Sequence, residues 1–120
     1  MPSSAGMPVN STHSWTVPEI PHLECFRAVG LVYEYPRHSH STWSIAVVDG
    51  GTGGIWYRGA NERGGAGDII AINPGEAHTG YPLQKGGISY SMLYVDEMLY
   101  VDEELVKDIL PDVTGLPLLG

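Results

Sequence analysis

Three histidines carry the chemistry that this sequence could do. His38 and His40 stand two residues apart in Pro36-Arg37-His38-Ser39-His40, and His78 follows about forty residues later, behind the turn Asn73-Pro74-Gly75-Glu76. Side chains two apart in an extended strand point the same way. If the intervening strands fold back on one another, His78 can join the pair. Three imidazoles suit a zinc, iron or manganese ion with open positions. A hard or redox-active ion would usually want a carboxylate as well, yet the residues four and five after His40 are Ser44 and Ile45. The plainer alternative is that the histidines line a pocket and hydrogen-bond to backbone or ligand. Both readings stand at this point.

Other side chains near this trio could contribute to a pocket. Arg37 offers a planar donor fork suited to a carboxylate or sugar hydroxyls, or it is a solvated surface cation. Trp43 and Trp56 could stack on a ligand, or fill the core as large aromatics of a small β domain commonly do. Tyr90 and Met92 share a strand face that is either packed or turned toward a cavity. Gly50-Gly51-Thr52-Gly53-Gly54 lacks the following helix and lysine of a phosphate loop, so it reads as a turn between strands. Ser39, Ser41 and Ser44 lie near histidines, but no strand-to-helix elbow accompanies them, which argues against a hydrolase.

The elements that must position these residues read as strands. Leu23 to Tyr35 is rich in β-formers and broken at Gly30, as two strands or one bent strand. Trp43 to Val48 is an apolar run closed by Asp49-Gly50-Gly51, which predicts a hairpin turn, with Ile55 to Arg58 as a further strand. Gly59 to Gly67 reads as a polar turn and Asp68 to Ile72 as a short strand stopped by Asn73-Pro74-Gly75. In Ile88 to Val95, Ile88, Tyr90, Met92 and Tyr94 fall on one side. Eight of the sixteen glycines lie between Gly50 and Gly67, where a helix would be penalised repeatedly. The one helical candidate is Asp102 to Leu110, capped by Asp102 and stopped by Pro111. The spacing of strands and turns predicts an all-β sandwich or barrel with a polar-lined interior.

Composition limits the function classes. At 120 residues the chain is one domain. A single cysteine, Cys25, excludes an internal disulfide and reads as a buried core thiol. No apolar run is long enough for a membrane span, and residues 1 to 15 lack the basic and apolar regions of a secretory signal. The expectation is a soluble, cytoplasmic protein with no membrane partner. Fourteen acidic residues against six scattered basic ones give a formal charge of −8, which leaves no positive stripe for nucleic acid.

One stretch resembles a known family. Gly67-Asp68-Ile69-Ile70-Ala71-Ile72-Asn73-Pro74-Gly75-Glu76-Ala77-His78-Thr79-Gly80 is similar to the Pro-Gly-Asp to Ile-Asn-Pro-Gly-Glu-Val-His-Thr-Gly run in the effector-binding domain of AraC-family transcription regulators. Pro36 to His40, Tyr57-Arg58-Gly59, Met92-Leu93-Tyr94 and Leu116-Pro117 fall in the family's order, so the likeness covers about residues 22 to 118. It implies a cupin-like double-stranded β-helix, or jelly roll, followed by a short C-terminal helix. It also implies a flexible arm over residues 1–21, an effector-binding barrel over 22–100, and a helix and tail over 101–120 leading toward a dimerisation and DNA-binding region outside this chain. The implied function is binding of a small effector, a sugar or other metabolite, to control that helix-turn-helix region. A non-enzymatic regulator of this kind needs no cofactor, touches DNA only through that region, and is a possible homodimer at full length. The ligand-binding residues expected are Arg37, His38, His40, Trp43, Trp56, His78, Tyr90 and Met92. By position, Tyr90 and Met92 fall where the arabinose-binding prototype places a histidine and a tryptophan, and Arg37 within one residue of its sugar-binding arginine. Loss of that tryptophan argues against arabinose itself. The competing expectation is a small metal-dependent cupin enzyme, a dioxygenase or isomerase, using His38, His40 and His78.

Overall fold

The computed structural model describes residues 6–96, and these form eight strands. In chain order they are β1 (Ser11–Thr16), β2 (Leu23–Leu31), β3 (Tyr35–His38), β4 (Trp43–Tyr57), β5 (Ala60–Gly65), β6 (Ile69–Ile72), β7 (His78–Pro82) and β8 (Ile88–Val95). Every pairing is antiparallel. The order across the sheet is β1-β2-β8-β4-β7-β3, with β5 and β6 also paired to β4. The expected all-β architecture is the one observed. The helix expected over Asp102 to Leu110 lies outside the described residues, as does the whole 101–120 segment.

β4 organises the molecule. Its first part, from Trp43 to Gly51, pairs with β6 and β8; its second part, from Thr52 to Tyr57, pairs with β5 and β7. One 15-residue strand therefore belongs to both wings of a curled sheet. This corrects the sequence reading, in which Asp49-Gly50-Gly51 ends a strand in a hairpin. Here the β4–β8 register slips between Val48 and Gly50, and Gly51 takes φ +70°. A bulge with a left-handed glycine bends a strand without reversing it. A Cβ at Gly51 would collide with the Gly87 carbonyl, so the two strands could not approach this closely. The reversal comes later, at Arg58 and Gly59, whose φ of 51° and 77° fit a two-residue hairpin turn between Tyr57 and Ala60. The polar turn expected over Gly59 to Gly67 is thus mostly strand β5.

Alternation along the strands separates two faces. Leu23, Cys25, Leu93 and Val95 are all 5 % exposed or less and form the packed cluster, flanked by Trp15, Trp43, Ile45, Val47 and Ile69. Cys25 is a free, fully buried thiol, and burial pushes its pKa up. The opposite face, with Ala46, Val48, Tyr90, Met92 and Tyr94, borders a cavity between the wings. Of the arm expected over residues 1–21, residues 11–16 form β1, in register with Glu24 to Val29 of β2. Asn10 continues this edge: its N–H donates to the Val29 carbonyl and its Oδ1 accepts from Val32 N–H.

Candidate functional site

Backbone pairing, rather than proximity in sequence, assembles the three histidines. His38 on β3 stands directly opposite His78 on β7, a position that brings side chains on one face into contact. The Gly75 N–H donates to the His40 carbonyl at 2.8 Å, so the Asn73-Pro74-Gly75 turn is tied to the end of the His38–His40 segment. Arg58, at the β4–β5 turn, pairs with Glu76 at 3.0 Å and holds the other side of the same loop. Ring centroids of His38 and His78 are 4.3 Å apart, those of His38 and His40 4.9 Å, and those of His40 and His78 5.5 Å. One nitrogen from each of the three lies within 4.8 Å of the others.

The second nitrogens of two rings are already engaged. His38 Nδ1 donates to the Pro36 carbonyl at 2.6 Å, and His78 Nδ1 donates to the Glu76 carbonyl at 3.0 Å. A carbonyl can only accept, so each Nδ1 carries the proton and each Nε2 of the neutral ring keeps a free lone pair. Burial holds the pKa of His78 below the usual range, against the Glu76 carbonyl, with His38 pulling the same way as burial. His40 is lowered too, first by burial and then by His38 and His78. These two rings are neutral at pH 7, and the cluster accepts hydrogen bonds or binds a cation.

The histidines form one end of a cavity of about 90 Å³. By the same measure a water needs on the order of 10–15 Å³, so a small organic molecule fits. Tyr94 packs beside His40 with ring centroids 4.9 Å apart and planes tilted by 47°, and Tyr35 and Tyr90 also line the cavity. Burial pushes the Tyr94 phenol up to about 12, and raises Tyr90 further. Leu31, Val48, Ile70, Ile72 and Ile88 supply apolar wall. Among the described residues, no Asp, Glu, Lys or Arg lines the cavity.

Of the residues singled out in the sequence, the structure brings His38, His40, His78, Tyr90 and Met92 to this cavity. Arg37 is exposed and outside its lining, because alternation on β3 turns Arg37 away from the face that His38 presents. Trp43 packs against the Leu23–Val95 cluster on the far side of the sheet. Trp56 is 42 % exposed and also outside the lining. Sequence reasoning missed Tyr35, Tyr94 and Ser44. Tyr94 was signalled by its shared face with Tyr90 and Met92. Ser44 was signalled only as a lone hydroxyl in the apolar run Trp43 to Val48. Its side chain lines the cavity, is 2 % exposed, and is the one buried side-chain polar atom among the described residues without a hydrogen-bond partner.

Comparison with known proteins agrees with this architecture. A family model described as the AraC-like ligand binding domain matches residues 20–117. Among solved structures, the chain is similar to a cupin-2 domain containing protein from Shewanella frigidimarina, with TM-score 0.56 and 22 % identity over 75 % of this chain and 83 % of that one. It is similar also to an RmlC-like cupin family protein with a double-stranded β-helix fold from Methanocaldococcus jannaschii, at TM-score 0.62 and 6 % identity over 75 % and 84 %. A third is oxalate decarboxylase of Bacillus subtilis, which has Mn(II) centres, at TM-score 0.61 and 17 % identity over 86 % of this chain and 33 % of that one. Identities this low speak to the fold alone, and the fold is the cupin double-stranded β-helix. No curated protein matches the chain. Among the described residues, no helix is long and apolar enough to cross a membrane.

Proposed function

From the membership of this chain in the AraC-like ligand-binding domain family, we propose that it senses a small effector in the cavity and controls a DNA-binding region outside the chain. The observation that carries this reading is the cavity itself, with neutral hydrogen-bonding groups at one end and apolar wall beyond. A sensor also needs a way to report occupancy. Leu31 and Tyr33 line the cavity, and Val29 and Val32 beside them are bonded to Asn10 of the N-terminal segment. A ligand that presses on Leu31 or Tyr33 thereby favours one placement of that segment over another. Differential affinity for two placements is all that linkage requires. In this scheme residues 1–21 act as the responsive arm, and the full-length regulator acts as a homodimer in the cytoplasm.

The test is a melting series with candidate metabolites, sugars included, together with limited proteolysis of the first twenty residues. A true effector at a hundredfold excess over its Kd stabilises the domain by about 2.7 kcal/mol and alters cleavage of the arm. If no metabolite changes either the melting temperature or the cleavage pattern, the sensing reading is wrong.

One observation favours a second reading, a small metal-dependent cupin dioxygenase or isomerase. The Nδ1 protons of His38 and His78 are committed to carbonyls, which is how ligating histidines are oriented. The donor set fits a divalent transition ion on His38, His40 and His78. Among the described residues no carboxylate joins it. When bound, such an ion would polarise an oxygen ligand. Metal analysis of protein purified without chelator separates the readings: stoichiometric metal that is lost in His78→Ala favours the enzyme.

A further inference from the structure

The walls of the cavity restrict the chemistry of what can occupy it. Along β4 and β8, Ser44 faces Tyr94 at one end of the ladder and Gly51 faces Ile88 at the other, six residues away on β8 or about 20 Å in a strand. Ser44, Tyr94 and the three histidines stand at the first end; further along, Tyr90 lies opposite Val48, the Tyr81 hydroxyl is donated to Asn61, and the Thr79 hydroxyl accepts from Trp56 N–H. Toward the second end Leu31, Val48 and Ile88 supply apolar wall beside Tyr90. A polyhydroxylated ligand would push several hydroxyls against that apolar wall, where each lost hydrogen bond is costly. A permanently charged ligand would find no fixed counter-charge among the described residues, because none of their Asp, Glu, Lys or Arg lines the cavity.

The polar end is selective in a second respect. His78 offers a lone pair on Nε2, since its Nδ1 proton is held by the Glu76 carbonyl. Ser44 offers an O–H that no protein group accepts. A hydroxyl is the head group whose chemistry matches both, since it can give its proton to an imidazole nitrogen and accept one from Ser44. A carboxylate or a ketone can accept but cannot donate. We propose that the ligand is a small uncharged molecule with an apolar body and one hydroxyl head, of the phenol or alicyclic alcohol class, and that Ser44 is a residue that selects it. This deepens the sensing reading above and rests on it.

Calorimetric and melting titrations of the 120-residue chain with 4-ethylphenol, 4-ethylbenzoate and L-arabinose test the assignment. The expected result is saturable binding of 4-ethylphenol, at least tenfold tighter than 4-ethylbenzoate, and no binding of L-arabinose. Ser44→Ala should weaken 4-ethylphenol about tenfold, the value of one hydrogen bond of ordinary to good strength. The unliganded variant should melt no lower than the parent, because an unpaired buried hydroxyl has been removed. Tighter binding of the sugar or the carboxylate, or unchanged 4-ethylphenol affinity in Ser44→Ala, overturns the hydroxyl-head assignment and leaves effector sensing intact. Failure of 4-ethylphenol alongside success of another metabolite has the same meaning. Only failure of every compound, in the metabolite series as in this one, removes the sensing reading together with the assignment.

Discussion

The two faces of β8 are built to different ends. Leu93 and Val95 are 1 % and 2 % exposed and close against Leu23 and Cys25, whereas Tyr90, Met92 and Tyr94, alternating with them, stand around open space. A strand cannot make both faces dense and still hold a ligand. The packed face supplies cohesion, and that cohesion lets the other face remain hollow. The difference predicts that truncations one residue apart will have separable consequences. Leu93→Ala removes a side chain with neighbours on all sides and should destabilise the domain by about 3 kcal/mol, read from urea unfolding. Ligand affinity in the residual folded protein should be unchanged. A loss well under about 1 kcal/mol would mean that this cluster is not what holds the wings together.

Met92→Ala is the converse. Its side chain borders the cavity, so truncation enlarges an existing space instead of creating a new one. The stability cost should be about 1 kcal/mol, below the usual range for a buried methionine, while affinity for an apolar-bodied ligand falls with the lost wall contact. If Met92→Ala costs as much stability as Leu93→Ala, the space around it is closed in solution and the distinction between the faces fails.

The packed face and the histidine cluster were both legible in the sequence, for different reasons. Alternation in Ile88 to Val95 puts Leu93 and Val95 opposite Tyr90 and Met92 whatever the tertiary fold. The His38–His40 spacing and the turn before His78 place three rings on returning strands. What the sequence could not reveal was direction. Asp49-Gly50-Gly51 encodes an abrupt change of course, but whether a strand reverses there or bends into a second sheet depends on partners far away in sequence, β6 and β8 before the bulge and β5 and β7 after it. Period-two patterning also does not say which apolar face is filled. Trp43 and Trp56 were therefore expected at the ligand, Tyr94 was not, and Ser44 looked inert. The hollow is a property of the assembled wings, not of any one strand.

The smallest expected effect is one of pH, and it separates the histidines of the cavity from the thiol of the packed face. Burial on the cavity side holds His40 and His78 below their ordinary pKa of 6.5. Above that value both folded and unfolded chains carry neutral imidazoles, and the pair contributes nothing to the pH slope. As the pH falls through 6.5 the unfolded chain takes up protons that the folded one resists, so stability declines toward acid until the folded pKa values are reached. On the packed side the sign is opposite. Burial raises the Cys25 pKa from 9.0, so the unfolded thiol ionises first and stability declines as pH rises past about 9. Tyr94 and Tyr90 of the cavity face, raised from 10.0, add to that loss at still higher pH. Melting temperatures across pH 5 to 10 should therefore fall at both ends in the metal-free protein. His78→Gln should flatten the acid limb alone, and Cys25→Ala should delay the onset of the alkaline limb alone. If either variant moves both limbs, His78 and Cys25 titrate as one unit, because independent sites in a β-sheet have no reason to share a proton balance.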